Sequence, residues 1–117
     1  MTKPTPVPIP PIDSLHDLRE RQRQFAAGRD WEQFHTPKNL AMSVAIEAAE
    51  IMEHFQWLTA AQSASLDAAA RLEVAHEIAD VLLYLVRLAD VLDIDMAAAA
   101  REKIGLNALK YPVRRGL

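Results

Sequence analysis

Between Lys38 and Arg87 the only cation is Arg71, whereas Glu47, Glu50, Glu53, Asp67, Glu73, Glu77 and Asp80 all fall inside that stretch. The same stretch carries apolar residues at helical intervals. On a helix each residue advances by about 100°. With Glu47 as zero, Leu40, Val44, Ala48, Ile51 and Phe55 lie between about 20° and 100° on that arithmetic. Glu47 therefore borders the apolar stripe, and Glu50 lies about 60° further out. Further on, Glu77, Asp80 and Tyr84 form one stripe flanked by Val74, Val81, Leu85 and Leu88. A carboxylate beside apolar surface must be paired, hydrogen-bonded, protonated or metal-bound. The helical remedy, Lys or Arg four residues on, is missing, because those positions hold Ile51, His54, Trp57, Val81 and Tyr84. Two pairs, Glu47/Glu50 and Glu77/Asp80, thus point to a divalent cation held between two helices. Oxygen-only ligands suit Mg²⁺, with Mn²⁺ as a substitute.

The remaining sequence is read as helix throughout, an all-α bundle with no strand alternation and no internal repeat. Ser14 with Asp17 resembles a capping box opening a helix that Gly28 ends. Thr36-Pro37 starts a second helix, expected to reach Phe55 or Trp57. A linker over 59–66 leads to a third from about Asp67 to Leu92. A fourth starts at Asp93 or Asp95 and runs to about Asn107. Residues 1–12, with Pro4, Pro6, Pro8, Pro10 and Pro11, form an extended tail. One domain is expected over 13–112, with a short tail over 113–117. The cations gather at the two ends, with Arg19, Arg21, Arg23 and Arg29 early and Arg101, Lys103, Lys110, Arg114 and Arg115 late.

Several function classes are disfavoured. A formal charge of −3 on 117 residues leaves no basic footprint for nucleic acid. The absence of cysteine excludes thiolate chemistry and disulfides. No stretch suits a membrane span or a signal peptide, so a cytoplasmic protein is the expectation. A second apolar face on the second helix, Met42, Ile46 and Ala49, points to a homodimer or homotetramer.

The residues also carry a resemblance. Arg29-Asp30-Trp31-Glu32-Gln33-Phe34-His35, then Pro37, Asn39-Leu40 and the run from Ile46 to Trp57, resemble the all-α nucleoside triphosphate pyrophosphohydrolases. Within that superfamily the sequence is most similar to the MazG-like dCTP pyrophosphatase branch. Glu77-Ile78-Ala79-Asp80-Val81-Leu82-Leu83-Tyr84-Leu85 matches the second metal motif, and Lys103, Asn107, Lys110 and Tyr111-Pro112 match the C-terminal region. Ile46 stands where many members have a further glutamate, an acid that the dCTP-type branch also lacks. The resemblance implies a four-helix-bundle-type MazG-like fold, oligomeric, that cleaves a nucleoside triphosphate to monophosphate and pyrophosphate. It implies Glu47, Glu50, Glu77 and Asp80 as Mg²⁺ ligands, with Glu53 orienting water or supporting the ligands. Lys103 and Lys110 would hold phosphate; Trp31, His35, Trp57, Tyr84 and Asn107 would bind the base or substrate. His54 and His76 are read as structural, off the acid face.

Two other readings compete. A helical self-association protein would use its apolar faces only for contact. A di-iron carboxylate bundle would need two E-x-x-H motifs, and Glu73–His76 is the only one at a helical position.

Overall fold

The computed structural model describes residues 4–114; residues 1–3 of the expected N-terminal tail and 115–117 of the C-terminal one lie outside it. Among the described residues every regular element is helical. The order is α1 (Leu15–Gly28), a short 3₁₀ turn (Glu32–Phe34), α2 (Pro37–Glu53), α3 (Ala60–Ser63), α4 (Ala68–Val91) and α5 (Met96–Lys110). None of these helices is long and apolar enough to cross a membrane.

Short polar side chains start each α-helix by accepting an orphan N–H of its first turn. Ser14 accepts from Asp17 N at 3.0 Å, Thr36 from Asn39 N at 3.2 Å, Asp67 from Ala70 N at 2.8 Å and Asp95 from Ala98 N at 3.0 Å. Ser14 and Asp17 make only half of the expected capping box, because the Asp17 carboxylate turns to Arg21 at 3.3 Å. The complete box lies at Thr59 and Gln62, where the two side chains cap reciprocally and nucleate α3 inside the expected linker. α1 ends at Gly28 as expected, but Gly28 is its last helical residue and not the left-handed one; Asp30 takes that conformation at φ 54°. Asp30 N then donates to Ala27 O and Trp31 N to Ala26 O, the paired bonds of a Schellman stop. Asp93, at φ 56°, ends α4 by the same pattern, with Asp93 N to Asp90 O and Ile94 N to Ala89 O. α2 stops at Glu53, earlier than its apolar pattern indicates, and turns over 54–57.

α2 packs along α4, and α1 packs on α4. His35, just before α2, meets Arg87 late in α4; Glu47, further along α2, lies with Glu77 and Asp80 earlier in α4. The two helices therefore run antiparallel. The buried apolar set is small: Leu18 and Ala26 on α1, Leu40 on α2, and Val74, Val86 and Ala89 on α4. α5 makes only incidental contact with the other helices, and every residue after Met96 on it is exposed. Three packed helices with a projecting fourth thus replace the closed four-helix bundle within one chain. The radius of gyration, 17.7 Å, reflects this, since a compact chain of this length is expected at roughly 13 Å. The extended segment before α1 is tied down by Arg21, which donates to Pro10 O at 2.6 Å and Pro11 O at 2.8 Å.

The left-handed stop at Asp93 is exposed, so its side chain can be changed without disturbing packing. Asp93→Val should destabilise the fold by about 1–2 kcal/mol because a β-branched residue resists this conformation. Asp93→Gly should be neutral or mildly stabilising. Urea denaturation of both variants checks the pair.

Candidate metal centre

The antiparallel pairing of α2 and α4 brings the two acid pairs face to face. Glu47, Glu77 and Asp80 each offer an oxygen to a group whose atoms all lie within 4.8 Å of one another. Glu47 and Glu77 are half-buried, and Asp80 is exposed at the mouth. Oε2 of Glu47 and Oε2 of Glu77 are both out of contact with solvent, and neither has a hydrogen-bond partner. Two such carboxylate oxygens beside one another are unfavourable unless a cation or a proton intervenes.

Electrostatics shows the same strain. Glu47 is pushed above the ordinary glutamate pKa, first by desolvation, then by the charge of Glu50, with Asp80 and Glu77 adding to it. Glu77 is also raised, first by a hydrogen bond with Glu50, then by desolvation and the charges of Glu50 and Asp80. Glu50 thus belongs to the same cluster, although it is not one of the three closest ligand atoms. Among the described residues the basic group found beside the cluster is His54, whose Nε2 lies 3.9 Å from Glu77 Oε1. His54 therefore faces the acids and is not off their face as expected: seven residues after Glu47 and four after Glu50, it falls within about 20° of Glu47 on a regular helix, and its backbone is still helical at φ −68° and ψ −21°. His76 is exposed. The donor set is oxygen only, three or four carboxylates from half-buried to exposed, and fits a hard divalent cation that keeps waters for a phosphate ligand.

The other expected site residues divide into two groups. Glu53 is the exposed last residue of α2 and lies outside the close group. Tyr84 is half-buried on α4, one turn beyond Asp80. Trp31 and His35 lie together on the connector before α2, with ring centroids 6.2 Å apart, and Trp31 meets Phe25 edge-on at 5.5 Å. Trp57 is 86% exposed past the end of α2. Lys103, Asn107 and Lys110 are exposed on α5, which does not pack beside the acids, so one chain does not bring them to the cluster. Lys110 Nζ instead sits 5.3 Å from the Tyr111 ring.

Known proteins share this arrangement of elements. Residues 42–117 match the MazG-like family. dCTP pyrophosphatase 1 of Rattus norvegicus is 38% identical over 110 residues, covering 92% of this chain and 65% of the rat protein. dCTP pyrophosphatase 1 of Homo sapiens is 39% identical over 104 residues, covering 87% and 61% respectively. The chain thus spans less than two thirds of the length of these relatives. The crystal structure of a pyrophosphatase from Archaeoglobus fulgidus superposes with a TM-score of 0.69 at 36% identity, covering 91% of this chain and 100% of that one.

The raised pKa values fix the sign of a pH dependence. In metal-free protein the folded state keeps protons on Glu47 and Glu77 that the unfolded chain has shed, so these groups reduce stability as pH rises from about 4.5 through their folded values. Glu47→Gln should therefore gain stability over wild type above that window and lose the advantage near pH 4.5. Excess Mg²⁺ or Mn²⁺ should raise the melting temperature of wild type at pH 7.5 and much less that of Glu47→Gln. Thermal denaturation at both pH values, with and without metal, reads both effects.

Proposed function

The chain belongs to the MazG-like family, and on that premise we propose that it is a Mg²⁺-dependent nucleotide pyrophosphohydrolase. Its substrate is a (deoxy)nucleoside triphosphate, dCTP or a modified pyrimidine dNTP, cleaved between the α and β phosphates to the monophosphate and pyrophosphate. Such an activity removes unwanted nucleotides from the pool. The observation that carries the reading is the pair of orphaned buried carboxylate oxygens at the centre of Glu47, Glu50, Glu77 and Asp80. Water alone solvates such a group poorly, whereas a divalent cation and a triphosphate together neutralise it. Similarity to dCTP pyrophosphatases and to a pyrophosphatase of known structure supports the choice of reaction.

Glu47, Glu50, Glu77 and Asp80 would hold the cation. When bound, it neutralises the phosphates, lowers the pKa of a coordinated water and stabilises displacement at phosphorus. Glu53, at the rim, would orient water or steady the ligands. Trp31 and Tyr84 would flank a pyrimidine ring, with His35 and Trp57 completing the base side. Lys103 and Lys110 would steady the leaving pyrophosphate and Asn107 the nucleotide. Because α5 stands away from the acids of its own chain, those three residues favour a homodimer or homotetramer in which α5 of one copy packs near the acids of another. The exposed Met42 and Ile46 on α2 and Leu106 and Leu109 on α5 support that association.

A panel of nucleoside triphosphates with Mg²⁺, assayed separately for pyrophosphate and orthophosphate, tests the reading. Pyrophosphate release from pyrimidine deoxynucleotides is expected, and release of orthophosphate alone would contradict it. Glu50→Ala and Asp80→Ala should each lower turnover by about 100-fold or more while the helical circular dichroism persists. A protein built only for self-association would show no turnover to lose.

A further inference from the structure

The connector that carries Trp31 is tied to α4 by charged groups outside the acid cluster. Arg87, on α4, is only 8% exposed. Its Nη1 donates to Asp90 Oδ2 at 3.3 Å, and its Nε donates to His35 Nδ1 at 3.0 Å. Asp90 is in turn gripped by Arg23 of α1, through Nε at 2.7 Å and Nη2 at 2.6 Å. Arg23 also pairs with Glu20, its Nη1 donating to Oε1 at 3.0 Å, so two carboxylates answer the two guanidinium groups and Arg87 is the charge that touches the His35 ring.

A guanidinium donates and never accepts. The ring nitrogen that meets Arg87 must therefore lack a proton, and a neutral imidazole then carries its one proton on Nε2. Burial, and after it the charge of Arg87, lower the His35 pKa, with Glu32 opposing. Nε2 lies on the side of the ring away from Nδ1 and donates to no acceptor among the described residues. Trp31 stands edge-on to the same ring and is partly exposed. Along α4, Arg87 lies seven residues beyond Asp80, about 10 Å on a helix, with Tyr84 between them. That span is comparable with the distance from the first phosphate of a nucleotide to its base.

We propose that Arg87, braced by Asp90 and Arg23, is a positioning residue that locks His35 as its neutral Nε2–H tautomer, and that this single fixed donor reads a hydrogen-bond acceptor on the substrate's base. The proposal rests on the nucleotide reading above and deepens it. The aromatic wall supplies stacking, which every base accepts, and the locked imidazole supplies direction. A ring free to change tautomer could present either a donor or an acceptor at that position and would discriminate less well.

Long-range ¹H–¹⁵N NMR of the full chain at pH 7 reads the tautomer directly, without turnover. An unprotonated Nδ1 and a protonated Nε2 on His35 are expected, and a protonated Nδ1 or an imidazolium would overturn the lock. Arg87→Met leaves Asp90 paired with Arg23 and should shift His35 to a tautomer mixture; an unchanged spectrum would also overturn it. If that variant does not fold, the wild-type spectrum still decides. For the base, His35→Asn keeps an acceptor for Arg87 through Oδ1 but removes the distal donor, whereas His35→Gln restores a distal amide N–H. His35→Asn should raise KM for dCTP about tenfold relative to its effect on the triphosphate of base-free deoxyribose, with little change in kcat, and His35→Gln should recover most of that loss. Equal KM ratios for wild type and His35→Asn would remove the base-reading role alone. No turnover of any triphosphate by wild type would remove the nucleotide reading and that role together, while the NMR result on the lock would stand apart.

Discussion

Like charges facing each other across α2 and α4 are the constraint around which this chain is arranged. The two longest helices bring half-buried carboxylates together with two oxygens that nothing in the protein satisfies. Packing alone does not favour such an arrangement, because the nearby apolar surface deepens the desolvation that raises Glu47 and Glu77. The cost is borne at a position where a cation and a phosphate chain can reverse it. That makes the folding energetics and the proposed chemistry two readings of the same four residues.

A second set of charges does the opposite work. Asp90 is held below the ordinary carboxylate pKa, first by its hydrogen bond to Arg23, and it stays ionised between two guanidinium groups. Where the acid cluster is under-neutralised, this one is paired, with Arg23 and Arg87 met by Asp90 and Glu20. The pair of arginines joins α1, α4 and the connector before α2, which otherwise has little apolar anchorage because Trp31 and Phe34 remain exposed. The Schellman stop at Asp30 sets where that connector leaves α1, and Arg87 sets how His35 faces. Backbone and side chain thus fix the two ends of a short segment.

Much of this was legible from residue spacing. The apolar period and the missing counter-charges located both acid pairs and the two helices that carry them, and Thr36 was legible as a cap, with Asp67 and either Asp93 or Asp95 as the next helix starts. Other features required tertiary information. Gly28 looked like a helix stop because glycine favours the left-handed conformation, yet Asp30 adopted it two residues later. The Thr59–Gln62 box was present in the letters, but its surroundings of Ala and Ser masked a four-residue helix. His54 was legible too, since regular helical spacing puts it seven residues from Glu47 and four from Glu50, on the acid face. The contact of Arg87 with His35 spans 52 positions, and no local pattern announces it. α5 does carry a trace of its departure, since its apolar residues are mostly alanine and far less one-sided than those of α2 and α4.

The proline-rich segment has a consequence for colloidal behaviour. In an extended chain, residues two apart point their backbone N–H groups to the same side. Pro4, Pro6, Pro8 and Pro10 therefore strip one whole edge of donors, while Arg21 occupies the carbonyls of Pro10 and Pro11. Val7 and Ile9 are exposed on this segment, close in sequence to helices with bare apolar faces. An ordinary strand of that character would invite edge-to-edge pairing between molecules. This one can be approached along a single edge at most, so it adds apolar surface to the chain without adding a template for amyloid growth.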